Sequence, residues 1–161
     1  MKKIIIVRHG ETKWNQCGKF QGHLDSPLTS KGVDQINSLA GSLIEDNVNL
    51  IYSSPLGRAI ETSHIIAERL SVNICFDSRL KERNLGFMEG LAGAEVVKAC
   101  INGCSLQSIE SMLNFRERIN NCFKDVLLSS YETILIVTHE GVINNFPKSE
   151  EGNFWITRKS I

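Results

Sequence analysis

Two histidines in this chain stand directly behind its most apolar runs. Ile4–Val7 leads into Arg8-His9-Gly10-Glu11-Thr12, and Ile134–Val137 leads through Thr138 into His139-Glu140-Gly141. An imidazole titrates near neutral pH, with an unperturbed pKa of about 6.5, so it can act as a nucleophile or a proton carrier. Glycine beside it lets backbone N–H groups approach an anion closely. A third group, Ser53-Ser54-Pro55-Leu56-Gly57-Arg58, puts a cation in the first turn of a helix pattern. Arg58 there opposes the helix dipole, unless cation and helix N-terminus bind an anion together. A fourth, Leu80 to Gly90, is a glycine-punctuated loop carrying the acids Glu82 and Glu89. Taken singly, these read as packed histidines, a surface arginine and a solvated loop. Taken together, they are the parts of an anion site.

The elements that must position them follow an alternating pattern. Short apolar runs bounded by turn residues predict buried parallel strands, and ligands in such sheets sit beyond the strands' carboxyl ends. Strands are expected at 4–7, 49–53, 72–76 and 133–138, with an edge strand at 154–157. Val33, Ile36, Leu39, Ala40, Leu43 and Ile44 predict an amphipathic helix ending near Asn47, and a second helix is expected over 57–70. Residues 94–129 read as helical with a break at Asn102-Gly103, the longer part presenting Ile109, Met112, Leu113, Ile119, Cys122, Phe123 and Val126. A short helix after His139 is limited by Pro147. The alternation implies an α/β protein with a parallel-rich sheet, and the chain shows no repeat or linker, so one domain is expected over 1–161.

Composition excludes several classes. The 161 residues carry 18 Lys plus Arg and 18 Asp plus Glu. This zero net charge supports neither a nucleic-acid partner nor a membrane surface. No apolar run approaches the roughly 20 residues of a span, and the chain opens into a strand pattern, with no signal peptide expected. The five cysteines form no Cys-x-x-Cys pair. Cys100 and Cys104 could share a helix face, yet reduced thiols in a cytoplasmic protein are the expectation.

Five segments in order resemble the histidine phosphatase superfamily, the phosphoglycerate mutase-like proteins. They are Arg8-His9-Gly10-Glu11-Thr12 with Asn15; Gln21-Gly22 with Asp25-Ser26-Pro27-Leu28-Thr29 and Gly32; Ser54 to Thr62; Leu80-x-Glu82 through Glu89-Gly90; and Val137-Thr138-His139. The resemblance covers residues 1 to about 145 and implies a three-layer α/β/α sandwich with a mostly parallel sheet. It implies that His9 attacks phosphorus and becomes a phosphohistidine. Arg8, Arg58 and His139 would hold the phosphoryl oxygens, with Asn15 as a further donor. Glu82 would protonate the leaving oxygen and then activate water. Gln21 and Gly22 would contact substrate. No metal or other cofactor is needed for this chemistry.

The chain also departs from that pattern. Glu140 stands where the family usually has glycine, with two roles open: capping the helix start, or opposing phosphate. The roofing insertion, about residues 91–112, is short, Ala92 replaces a common threonine, and the segment after His139 is brief. An open pocket is expected. His23 could reach the pocket mouth, Trp14 could pack beneath the catalytic loop, and Arg116 and Arg118 are expected on a solvated helix flank. The leading functional expectation is a phosphomonoesterase acting on a small phosphorylated cytoplasmic metabolite, most like the α-ribazole and broad-specificity phosphatase branch. A protein-phosphohistidine phosphatase, a phosphoglycerate mutase and a non-catalytic phosphate-binding or interaction module are the alternatives. The short roof disfavours a mutase, which must exclude water.

Overall fold

The chain is known from a computed structural model that describes residues 2–147 and 154–159, with the side chains of Phe154 and Trp155 outside that description. The strands are β1 (Lys2–Arg8), β2 (Leu50–Ser53), β3 (Asn73–Phe76), β4 (Thr133–Thr138) and β5 (Phe154–Lys159). They form one sheet in the order β3-β2-β4-β1-β5, and every described pairing is parallel. The expected edge strand at 154–157 is β5, two residues longer than the pattern indicated.

The helices are α1 (Lys13–Gln16), α2 (Ser30–Ser42), α3 (Gly57–Leu70), α4 (Gly93–Ile101), α5 (Met112–Leu128) and α6 (Glu140–Asn145). Side chains alternate across a strand, and both faces of this sheet are covered. Ile5, Val7, Ile51, Leu135 and Val137 pack with Ile36, Leu39, Ala59 and Ile66 of α2 and α3. Ile4, Ile6, Ile134 and Ile136 pack with Phe115, Ile119, Phe123, Val126 and Val142 of α5 and α6. This is why β1 and β4 are unbroken apolar runs rather than alternating ones.

Two local expectations are corrected. Helix α2 stops at Ser42, and a 3-10 turn over Ile44–Asp46 carries the chain to a left-handed Asn47; Ile44 is exposed. Leu113 is 76% exposed while Phe115, absent from the predicted stripe, is buried. Ser111 caps α5 through the Asn114 N–H. With the helix starting at Met112, the inward row runs Phe115, Ile119, Cys122, Phe123 and Val126, and Leu113 falls off it. Helix α4, in the region expected to roof the pocket, buries none of its residues.

Strand register determines where the chain leaves the sheet. Arg8 lies opposite Thr138, and the His9 N–H donates to the Thr138 carbonyl at 3.0 Å. The two central strands therefore release their histidines side by side at one sheet edge. Gly10 and Gly32 allow the loop after β1 to lie against α2: a Cβ at Gly32 would strike the Glu11 backbone.

Candidate active site

His9 and His139 are both buried, with ring centroids 5.3 Å apart. Nδ1 of His9 lies 2.8 Å from the Gly10 carbonyl oxygen. A carbonyl can only accept, so Nδ1 carries the proton and Nε2 holds the lone pair. Arg58 is consistent with this assignment, since its Nε–H donates to His9 Nε2 at 3.2 Å. Burial lowers the His9 pKa to about 3, helped by the Arg58 charge. The imidazole is thus neutral at physiological pH, with its lone pair on Nε2, where it accepts the Arg58 Nε–H.

His139 follows the same logic with the nitrogens exchanged. Its Nε2 lies 2.7 Å from the Ser54 Oγ, and that oxygen already accepts the Leu56 N–H at 3.3 Å. Nε2 is the acceptor in reach of the Ser54 hydroxyl proton, which leaves the His139 proton on Nδ1. Among the described residues Nδ1 has no partner although it is buried. Burial and then the Arg58 charge hold the His139 pKa well below its ordinary value. A neutral N–H donor results, unsatisfied until an acceptor arrives.

Arg58 corrects one expectation. The N-terminus of α3 does not await an external anion, because Asp25 occupies it. The Asp25 carboxylate accepts the Gly57 N–H at 2.7 Å and the Arg58 N–H at 3.3 Å. It also takes Arg58 Nη1 at 2.7 Å. Arg58 Nη1 and Nη2 further donate to the Leu24 and Gly22 carbonyls. Burial disfavours the guanidinium charge and Asp25 offsets that loss. These fixed partners leave Nε–H as the arginine's donor toward His9.

Arg8 is held differently. Its Nη1 lies 3.1 Å from Glu140 Oε2, in a pair exposed to solvent. Glu140 is the first residue of α6, but no side chain caps that helix start; its carboxylate instead engages the arginine proposed for phosphate. Asn15 uses its carbonyl oxygen to accept the Thr12 N–H and hydroxyl, leaving its amide donors toward the cavity it lines.

Glu82 lines the same cavity. One carboxylate oxygen accepts the Gly141 N–H at 3.0 Å, the other the Arg83 N–H at 2.7 Å. A Cβ at residue 141 would collide with that carboxylate, which gives Gly141 a role that no helix pattern conveys. Arg8, His9, Asn15, Gln21, Gly22, Arg58 and Glu82 line one cavity of about 360 Å³. His139 is not among its lining residues, and its ring is tilted by 56° to that of His9.

The sequence pattern did not reveal the residues that hold these groups. Arg118, expected on a solvated flank, instead reaches the carbonyls of Arg79, Lys81 and Glu82 and pairs with Glu110. It ties the Glu82 loop to α5. His23 does not line the cavity; its Nε2 lies 2.9 Å from the Glu82 carbonyl. Trp14 lies against Gly90 of the Glu82 loop, and Arg116 reaches Asn145. Signals for Asp25 and Ser54 existed only in the segments of family resemblance.

Residues 4–148 match the family model of the histidine phosphatase superfamily, branch 1. A Hydrogenobacter thermophilus protein provisionally named phosphoserine phosphatase 2 is 36% identical over 154 residues, covering 89% of this chain and 76% of that protein. A provisionally assigned phosphoglycerate mutase of Escherichia coli, GpmB, is 46% identical over 89 residues, and that match spans 41% of its length. Among solved structures, Bacillus stearothermophilus YhfR superimposes with a TM-score of 0.81 at 33% identity, over 88% of this chain and 76% of that one. A mycobacterial glucosyl-3-phosphoglycerate phosphatase complexed with VO3 gives 0.79 at 27% identity, over 87% and 77%.

Proposed function

Because the chain belongs to the histidine phosphatase superfamily, we propose that it hydrolyses phosphomonoesters of small phosphorylated metabolites without a metal, through a phosphohistidine. The observation that carries this reading is the His9 Nε2 lone pair, buried, neutral and faced by the Arg58 Nε–H. Nε2 attacks phosphorus in line, and the bond from phosphorus to the ester oxygen breaks. Positive charge develops on the ring, and Nδ1–H already donates to the Gly10 carbonyl, which stabilises it. As the phosphoryl group enters, the Arg58 Nε–H exchanges His9 Nε2 for a phosphoryl oxygen, which frees the lone pair for attack, and Arg8, the Asn15 amide and His139 Nδ1–H offer further donors. Protonated Glu82 gives its proton to the departing alkoxide. In the second step the Glu82 carboxylate takes a proton from water, the water oxygen bonds to phosphorus, and the bond to Nε2 breaks. Gln21 and Gly22 contact the rest of the substrate. The whole chain acts as one histidine phosphatase domain, with residues 91–112 as its short cap.

The test is hydrolysis of p-nitrophenyl phosphate by wild type and His9→Ala. Loss of turnover together with loss of the acid-labile phosphoprotein supports the reading; retained turnover in His9→Ala overturns it. Adding 3-phosphoglycerate with its bisphosphorylated primer distinguishes a mutase, which would return 2-phosphoglycerate.

A further inference from the structure

Arg8, His9, Asn15 and Glu140 face a second cavity as well as the one described above. It lies on the β5 side, has a volume of about 450 Å³ and is lined there by Arg158 and Lys159 of β5. That volume falls within the range of small-molecule sites. β5 lies beyond the family match, which ends at residue 148. The parallel register places Arg158 opposite Ile6, on the α6 side of the sheet, and Lys159 opposite Val7 on the other.

Most charges around this cavity are paired, although Lys159 shares the Asp46 carboxylate with Lys3. Glu140 pairs with Arg8, Glu11 with Lys31 at 3.0 Å, and Lys159 with Asp46 at 2.7 Å. His9 is neutral. Arg158, exposed to solvent, has no hydrogen-bond or ion-pair partner among the described residues, so its guanidinium is an unpaired cation on the wall. Ile6 and Ile143 supply the apolar part of the lining.

We propose that this cavity is a second anion subsite, in which Arg158 receives a carboxylate or second phosphate carried by the part of the substrate beyond the scissile ester. The preferred substrates are then phosphomonoesters with two anionic ends. The inference rests on phosphoryl binding at His9, as proposed above, and adds what selects the rest of the molecule.

Binding of non-hydrolysable phosphonates tests it without requiring turnover. Calorimetry would compare 3-phosphonopropionate and propane-1,3-bisphosphonate with propylphosphonate, on wild type and Arg158→Ala. A charge-assisted contact of this kind is expected to give about a tenfold preference for a doubly anionic probe over propylphosphonate. That preference should collapse in Arg158→Ala and persist in Arg158→Lys. The carboxylate and bisphosphonate arms show which anion is taken. A wild type without preference, or an unchanged ratio in Arg158→Ala, overturns the subsite. Failure of the His9→Ala assay would instead overturn the hydrolase reading, so the two are separable. Thermal melting of Arg158→Ala shows whether the edge strand is intact.

Discussion

Glu140 Oε2 and Arg8 Nη1 are 3.1 Å apart at the mouth of the cavity, so the chain supplies a carboxylate to an arginine proposed to bind phosphate. An incoming phosphoryl group must displace that carboxylate or share the guanidinium with it. The pair is exposed, and pairs of this kind are worth less than about 1 kcal/mol. Glu140→Gln is therefore expected to tighten inorganic phosphate binding by about two- to fivefold. The gain should fade as salt is raised. Product inhibition measured at two ionic strengths checks this, and unchanged or weaker inhibition would show that the pair does not compete.

Ser54 sets the His139 tautomer through the 2.7 Å contact at Nε2. Ser54→Ala removes the hydroxyl donor and lets the proton move from Nδ1 to Nε2. The expected outcome is a change in the His139 ring nitrogen NMR shifts and a KM for p-nitrophenyl phosphate raised about fivefold to tenfold. A raised KM with unaltered shifts would mean the effect comes from packing alone.

Asp25 is the sole carboxylate bonded to the buried Arg58 among the described residues. Removing it leaves a buried cation uncompensated and the first turn of α3 uncapped. Asp25→Ala is expected to cost about 3 kcal/mol in urea unfolding and to weaken phosphate binding. Asp25→Asn keeps one acceptor and should fall between the two. Equal stability of Asp25→Ala and wild type would refute this account of Arg58.

The leaving group should report on Glu82. An alkoxide needs a proton to depart, whereas p-nitrophenolate does not. Glu82→Gln is expected to slow alkyl phosphates by about 100-fold or more, with a much smaller effect on p-nitrophenyl phosphate. Equal losses on both substrates would remove Glu82 from acid catalysis.

The lowered histidine pKa values also bear on stability. The unfolded imidazole protonates near 6.5, while folded His9 resists protonation down to about 3; His139 shifts in the same direction. In that window the unfolded chain binds more protons, so stability is full above about pH 6.5 and falls as pH drops toward 3. The slope is at most about 1.4 kcal/mol per pH unit for each histidine. Urea midpoints at pH 7 and 5 should differ less in His9→Gln than in wild type.

Much of this protein could be read along the chain. Uniform apolar runs at Ile4–Val7 and Ile134–Val137 require a sheet buried on both faces, and such strands deliver their next residues to one edge. That is enough to bring His9 and His139 forward as partners, and the segments holding Arg58 and Glu82 are placed by resemblance. Periodicity reports which side of an element is buried. It carries no record of hydrogen bonds between loops, which obey no repeat and join residues far apart in the chain.

Tertiary structure alone therefore decided that Asp25 fills the α3 N-terminus, that Arg118 anchors the Glu82 loop, and that Gly141 must be small to admit a carboxylate. It also decided which imidazole nitrogen carries the proton, because that depends on the Gly10 carbonyl and the Ser54 hydroxyl. The position of Arg158 is the clearest case. Along the chain it is one cation near the carboxyl end; only the register of β5 against β1 sets it on the wall of a cavity that opens on His9.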